Sequence, residues 1–503
     1  MAQLSSEQFP DDPDALKAMI SERDDELYAK SLLIEKLKHQ LAILRRGKFG
    51  TSSESLDQLD LLVEEMEVDQ ADAKAASPVS DNGEAKQQPK RKAFSADLPR
   101  RDEVHEPSAE CTHCGSTMRP LGEDVREVLD YVPGRFVVTR HIRPKMSCRD
   151  CGGINQDPMP TLPIERGNPG ASLLAHVLVS KYGDHLPLYR QNQIYAREGV
   201  ETDRSTLADW VGKSAYLLQP LADRLEHHIF AGQTIHTDDT PLPVLDPGRG
   251  RTKTGRLWSY VRDERPFGSN IPPAAFYKYT PDRKGIHPKG HLENYQGHIH
   301  ADGYSGYKDI FKRDAVTEVA CLAHIRRKLF DCHKTTQSTI AEEALNRIAA
   351  LYQIEKEIRG SPPDTRKQLR QEKAKPLFHN LQTYLDNALP RLPGRSQLAI
   401  AMRYAITRLK KLEVYLENGC LEIDNNAAER SMKNLAVGKK NYLFAGSDKG
   451  GERAATIYSL IETAKLNGVN PQSWLTHVIN NIQDYPNKKI DDLLPWKWMP
   501  EVG

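Results

Sequence analysis

Three carboxylates stand where the chain could hold divalent cations. Asp238 and Asp302 each close a short apolar run, in Gln233-Thr-Ile-His-Thr-Asp238-Asp239-Thr240 and Gly297-His-Ile-His-Ala-Asp302-Gly303-Tyr304. Glu429 follows far downstream, in Glu422-Ile-Asp-Asn-Asn-Ala-Ala-Glu429-Arg430. The two aspartates would end β-strands, and Glu429 would lie about one turn inside a helix set at the lip of the sheet. Hard cations take oxygen ligands, and two ions roughly 4 Å apart can stabilise both the attacking and the leaving oxygen of an in-line displacement. The chemistry this points to is magnesium- or manganese-dependent phosphoryl transfer on nucleic acid.

Each acid has neighbours that compete for the role. Asp239 adjoins Asp238, but adjacent side chains of a strand face opposite ways, so only one of the two should reach the metals. Glu422 and Asp424 compete with Glu429, and Asp424 could instead cap the helix. Asp302 could be only the turn residue before Gly303. Arg326, Arg327, Lys328, Arg430, Lys433, Lys439 and Lys440 lie near these acids in sequence and could neutralise DNA phosphates, although surface solubility explains any one of them equally well.

A second constellation is sulfur. Cys111-Thr-His-Cys114 and Cys148-Arg-Asp-Cys151 are two Cys-x-x-Cys pairs separated by 33 residues, with glycines after each to permit a tight turn. Four thiolates close a tetrahedral site, so the reading is structural zinc rather than a catalytic ion. Cys321, Cys332 and Cys420 lack partner spacing and are expected to be core or incidental thiols.

The elements that must position these groups can be traced along the chain. Leu16, Ile20, Leu27, Ile34, Leu37, Leu41 and Leu44 follow a heptad pattern, broken by Arg23 and Lys30, and predict a coiled coil over 12–48; a single amphipathic helix packed on its own protein is the alternative. Residues 49–100 read as a disordered linker, acidic and then basic, with too few large apolar groups to offset chain entropy. A zinc-binding domain over 101–165 and a helical region over 166–230 follow. In the latter, Leu188 to Arg197 and Arg204 to Lys213 read as helix, turn, helix, with Thr202 or Asp203 as cap and Arg190, Arg197 and Arg204 able to contact DNA. An ordinary helical hairpin fits that pattern as well.

From 231 to 335 the pattern turns to strands, near 234–237, 257–261, 274–279, 298–301 and 317–321, followed by a helix over 324–332. Charged helical segments at 341–358 and 366–385, the latter bent at Pro376, make 336–418 an inserted helical subdomain. Residues 419–468 then complete the core with Glu429, and 469–503 form a C-terminal element. Strands first and then a helix bearing the last acid is the order of a ribonuclease-H-like α/β domain. The expected fold class is thus multidomain α/β: that catalytic core with its helical insertion, preceded by coiled coil, zinc domain and a helix-turn-helix-like region.

Composition sets limits. At 503 residues the chain exceeds one ordinary core, and no run of eighteen apolar residues offers a membrane span. The first residues lack the basic-then-apolar order of a signal peptide, and the cysteine usage fits a reducing compartment, so a cytoplasmic protein is expected. The net charge of +1 conceals opposed segments: 51–75 hold eight acids against Lys74 alone, and 86–101 hold six bases against Asp97.

These motifs resemble the large transposase of the insertion sequence 66 family over essentially the whole length. The carriers are the zipper ending in Lys48-Phe-Gly-Thr-Ser-Ser-Glu54, the cysteine pairs, Ser180-Lys-Tyr-Gly-Asp-His-Leu-Pro-Leu-Tyr-Arg190, and the closing Leu493-Leu-Pro-Trp496. Most specific is Asp424-Asn-Asn-Ala-Ala-Glu429-Arg430 followed by Gly438-Lys-Lys-Asn-Tyr-Leu-Phe-Ala-Gly-Ser447. The resemblance implies a DDE-type transposase with Asp238, Asp302 and Glu429 as catalytic acids on two magnesium ions. It also implies action on the terminal inverted repeats of an insertion sequence, and small accessory proteins encoded by the same element. The family more often has Glu where this chain has Asp239.

On that reading, water frees a 3′-hydroxyl at the element's end and the hydroxyl attacks target DNA, with no covalent protein intermediate. The coiled coil would pair protomers so that two ends meet. A structure-selective nuclease of the same fold and a catalytically inactive zinc-containing DNA-binding regulator are the rivals.

Overall fold

The computed structural model describes residues 134, 136–142, 146–147, 154–155, 160–164, 169–246, 251–442 and 444–499. The chain divides into two units, 1–131 and 132–503, and all described residues belong to the second. The expected coiled coil, the linker and the four zinc-ligand cysteines lie outside the described residues. Two short antiparallel strands, β1 (Met146–Ser147) and β2 (Ile154–Asn155), flank the second cysteine pair.

The helical region comprises α1 (Ala171–Tyr182), α2 (Leu188–Arg197) and α3 (Arg204–Phe230). The α2–α3 turn uses Gly199 at φ +82°, and the side-chain amide of Asn192 donates to Thr202 O. Asp203 is the N-cap of α3, but its side chain makes no capping bond. The expectation that this helix ends near Lys213 is wrong: α3 runs for 27 residues. Its buried stripe of Leu207, Val211, Ala215, Leu218, Leu221, Leu225 and Ile229 keeps a three-to-four-residue spacing, and the exposed Pro220 sits on the opposite face.

A mixed five-stranded sheet follows. It is built from β3 (Thr234–Asp246), β4 (Arg251–Arg262), β5 (Ala274–Thr280), β6 (Gly297–Ala301) and β7 (Val316–Ala320), with the one-turn helix α4 (Ile286–His291) between β5 and β6. Their order across the sheet is β5-β4-β3-β6-β7, with β4 antiparallel to both neighbours and β3, β6 and β7 parallel. The strands are longer than expected, because β3 and β4 extend as a ribbon from Asp239↔Trp258 to Asp246↔Arg251.

Both faces are covered. Ile235, Trp258, Tyr260, Phe276 and Ile299 pack beneath Leu292, Tyr307 and Ile310 on one face. Leu242, Leu257 and Tyr277 on the other meet α1 and α3, together with α11 (Asp448–Leu466) and α12 (Pro471–Asn481) once the chain returns. The outer strand β5 is closed by hydroxyls of α11: Ala275 N donates to Thr463 Oγ1 and Tyr277 N to Ser459 Oγ. Those bonds satisfy backbone groups that an open edge would expose.

After β7 come α5 (Leu322–Thr336), α6 (Thr339–Ile358), α7 (Pro363–Leu369), a π turn (Arg370–Ala374), α8 (Lys375–Ala388) and α9 (Gln397–Leu412). Their apolar faces form a cluster with Val319 and Ala320 of β7. The bend expected at Pro376 takes the form of this π turn. Proline has no N–H for the Glu372 carbonyl and its ring crowds it, so the helix widens just before it. The turn aims two fully buried guanidiniums at the segment leading back to the sheet. Arg366 Nη1 donates to Gly419 O, while Arg370 bonds the Tyr415, Asn418 and Leu421 carbonyls and both carboxylate oxygens of Glu355. Removing one partner of such a buried pair costs about 3–5 kcal/mol, so the loop ahead of α10 (Asn426–Tyr442) is firmly placed.

Candidate functional site

β3 and β6 pair in parallel with His236 opposite His300. Asp238 stands two residues on in β3, on the face of His236 by the two-residue alternation, and Asp302 is the first residue beyond β6, two after His300. The rings stack at 4.2 Å between centroids and an angle of 12°. Burial holds both histidines below their ordinary pKa, so the stack is a pair of neutral imidazoles at the floor beneath the acids.

The helix carrying Glu429 is pinned to β3 at both ends. Asn425, fully buried just ahead of α10, bonds His236 Nδ1 through Oδ1 at 3.1 Å and donates Nδ2 to Thr237 O at 2.9 Å. Beyond the helix, Ala445 N donates to Pro243 O and its carbonyl accepts from Leu245 N. Glu429 therefore sits in the first turn of a fixed helix, where the N-terminal dipole favours a negative charge.

The charges of Asp302 and Glu429 reach Asp238, although among the described residues these three acids do not close to the 4.8 Å spacing that Cys321, His324 and Glu429 show. Burial pushes the Asp238 carboxyl up to about 7; the donated N–H of Asp239 opposes this, and the charges of Asp302, Asp239 and Glu429 add to it. Asp302 Oδ1 accepts the Tyr304 N–H at 2.8 Å across a turn whose Gly303 has φ +91°, so its role as a turn residue coexists with its place beside Asp238. Glu429 Oε2 accepts from Arg327 Nη2 at 3.3 Å, and Oε1 is buried without a hydrogen bond, 3.5 Å from His324 Nδ1.

The rival acids are engaged elsewhere. Asp239, on the opposite face, is held by Arg256 at 3.0 Å and Arg283 at 2.7 Å and is almost wholly buried. Glu422 accepts from the buried Arg366. Asp424 accepts the Asn426 N–H at 3.1 Å, and burial pushes its carboxyl up to about 6. It lines a separate cavity of about 270 Å³ with His236, Tyr352 and Arg430, which Asp238, Asp302 and Glu429 do not border.

Among the basic residues, Arg326 and Arg327 are exposed on α5, Arg327 beside Glu429. Arg190, Arg197 and Arg204 are exposed on α2 and α3, Arg430 is exposed in the second turn of α10, and Lys439 and Lys440 lie in its last turn. Sequence reasoning missed His324, Asn425 and the His236–His300 stack. The stack had a signal, the repeated Ile-His-x-Asp of Ile235–Asp238 and Ile299–Asp302. It also passed over Cys321 as a core thiol; the residue is buried, but its sulfur accepts the Asn425 N–H at 3.2 Å at the edge of the acid cluster.

Among the described residues no helix is long and apolar enough to cross a membrane. Comparison with known proteins matches this chain to four family models. Residues 166–453 match the transposase IS66 family and 108–152 the zinc-finger binding domain of transposase IS66, which supports structural zinc on the four cysteines. Residues 459–496 match the IS66 C-terminal element, and 36–102 the model described as transposase C of IS166 homeodomain. Among similar proteins of Sinorhizobium fredii, uncharacterized protein y4hP is 38% identical over 94% of this chain and 89% of its own length. Uncharacterized proteins y4qI and y4jD are 37% and 35% identical, each over 98% of both chains. With a single model spanning the helical region, sheet and α10 together, this chain belongs to the IS66 transposase family.

Proposed function

We propose that this chain is a DDE-type transposase that cleaves DNA at the terminal inverted repeats of an insertion sequence and joins the freed ends to target DNA. The observation that supports the reading is that β3 pairs in parallel with β6 through His236 and His300, with Asp238 two residues on in β3, Asp302 just beyond β6, and the charges of both Asp302 and Glu429 raising the Asp238 pKa. The strand order, with the second strand in sequence antiparallel to the rest, supports a ribonuclease-H-like core into which 336–418 is inserted. Ligands of open α/β sheets gather at the carboxyl ends of parallel strands where the order reverses, and here that point lies between β3 and β6.

The donor set fits hard cations. It is all oxygen, and the charges of Asp302, Asp239 and Glu429 all raise the Asp238 pKa. Two magnesium or manganese ions held by Asp238, Asp302 and Glu429 would activate the attacking oxygen and stabilise the leaving one. The protein's own share is positioning: the imidazole stack and Asn425 hold the acids, and Arg327 beside Glu429 offers a guanidinium to a phosphate. Exposed Arg190, Arg197, Arg204, Arg326 and Arg430, with Lys439 and Lys440, would follow the DNA backbone. The N-terminal heptads would pair protomers, and accessory proteins of the same element would join the assembly.

The test is incubation of the purified protein with magnesium and labelled DNA carrying the ends of its element, with and without a target duplex. Cleaved and joined products are expected, and Asp302→Asn should abolish both while DNA binding persists. Cleavage without joining of pre-cut ends would make the protein a nuclease. Wild-type binding without either product would make it a regulator.

A further inference from the structure

Glu429 faces a second set of ligand atoms. Cys321 ends the step from β7 into α5 as its N-cap residue, and His324 lies in the first turn of that helix. The ligand atoms of Cys321, His324 and Glu429 all lie within 4.8 Å of one another. Neither Asp238 nor Asp302 belongs to that set. His324 Nδ1 and Glu429 Oε1 lie 3.5 Å apart and are both buried without hydrogen bonds, and buried polar atoms of this kind ordinarily have a partner. Cys321 Sγ completes the triangle.

We propose that Cys321, His324 and Glu429 form a transition-metal site that takes Zn2+ or Co2+ in preference to Mg2+. A thiolate, an imidazole nitrogen and one carboxylate oxygen make a donor set of the zinc type, and sulfur discriminates against magnesium. Three protein ligands leave a fourth tetrahedral position open. Bond lengths of about 2.0–2.3 Å to a common ion need only a small closure of the three atoms. Thiol deprotonation accompanies binding, the proton leaving to solvent.

The consequence for catalysis rests on the reading of Glu429 as a ligand of the magnesium pair. Zinc bound here takes Glu429 Oε1 and so draws on the same carboxylate that the magnesium pair would use. Zinc would then act as an inhibitor that competes with magnesium through a shared side chain.

The experiment uses the full chain already loaded with zinc on its four-cysteine module, titrated with Co2+. One equivalent of cobalt is expected to show the visible absorption of a tetrahedral ion with a thiolate charge-transfer band. Cys321→Ser should remove that band and His324→Gln should weaken binding about tenfold or more, both variants retaining the wild-type circular dichroism. Asp238→Asn should bind this cobalt like the wild type. Micromolar zinc should suppress magnesium-supported cleavage by the wild type and much less that by Cys321→Ser. Cobalt spectra unchanged by both Cys321→Ser and His324→Gln, or abolished by Asp238→Asn, would overturn the site. Absence of cleavage in the wild type would overturn the transposase reading alone, since the cobalt titration decides the metal site without it.

Discussion

Asn425 and His236 meet at 3.1 Å, Oδ1 to Nδ1, and through this contact the helix bearing Glu429 is locked to the strand bearing Asp238. The same side chain donates to Thr237 O, and its backbone N–H reaches Cys321 Sγ, so one amide joins β3, α5 and α10. Asn425→Ala would leave the Thr237 carbonyl and His236 Nδ1 unpaired in the interior, which costs about 1–3 kcal/mol for each unsatisfied group. The expected outcome is a lower urea midpoint together with a larger fall in kcat than change in DNA affinity. Asn425→Ala with destabilisation but an unchanged kcat would confine the residue to a structural role.

Asp238 and Asp239 are adjacent yet should respond oppositely. Asp239→Asn weakens a doubly paired, buried carboxylate and is expected to cost about 2–3 kcal/mol while leaving measurable activity. Asp238→Asn removes a carboxylate pressed by three like charges, and should abolish cleavage with no loss of stability in metal-free protein. Parallel chemical melts and cleavage assays of the two variants check this, and an active Asp238→Asn would refute it.

The pH dependence follows from Asp238. Its folded carboxyl sits at about 7 against an ordinary 3.8, so between those values the folded chain holds a proton that the unfolded chain releases. In metal-free protein this contribution is fully present below the unfolded pKa and is lost as pH rises through about 7. Asp238→Asn should therefore melt higher than the wild type at pH 8, and the difference should shrink as the pH falls toward 4. Divalent-ion affinity should rise with pH up to about 7 and then level, because the ion must displace that proton. Isothermal titrations with Mn2+ across pH 6–8 measure it.

Much of this was legible in the chain because it depends on local pattern. Strand alternation puts Asp238 and Asp239 on opposite faces, and the spacing after Asp424 places Glu429 inside a helix. What escaped was long-range. That Asp239 has two arginine partners depends on Arg256 across the ribbon and Arg283 beyond β5, neither flagged by spacing. Cys321 and His324 join the site because the start of α5 lies against α10, a contact set by Asn425 and by the buried Arg366 and Arg370. The apolar stripe of α3 continues past Lys213, where a helix-turn-helix unit would end, because the helix goes on to pack along the sheet.

The account depends most on Asp238, Asp302 and Glu429 acting as one chelating group. The direct measurement is Mn2+ stoichiometry at pH 8 on the zinc-loaded chain carrying Cys321→Ser and His324→Gln, with each acid then neutralised in turn. Two bound Mn2+ per chain are predicted, with Asp238→Asn, Asp302→Asn and Glu429→Gln each losing at least one. Mn2+ binding that is indifferent to all three substitutions would contradict the account.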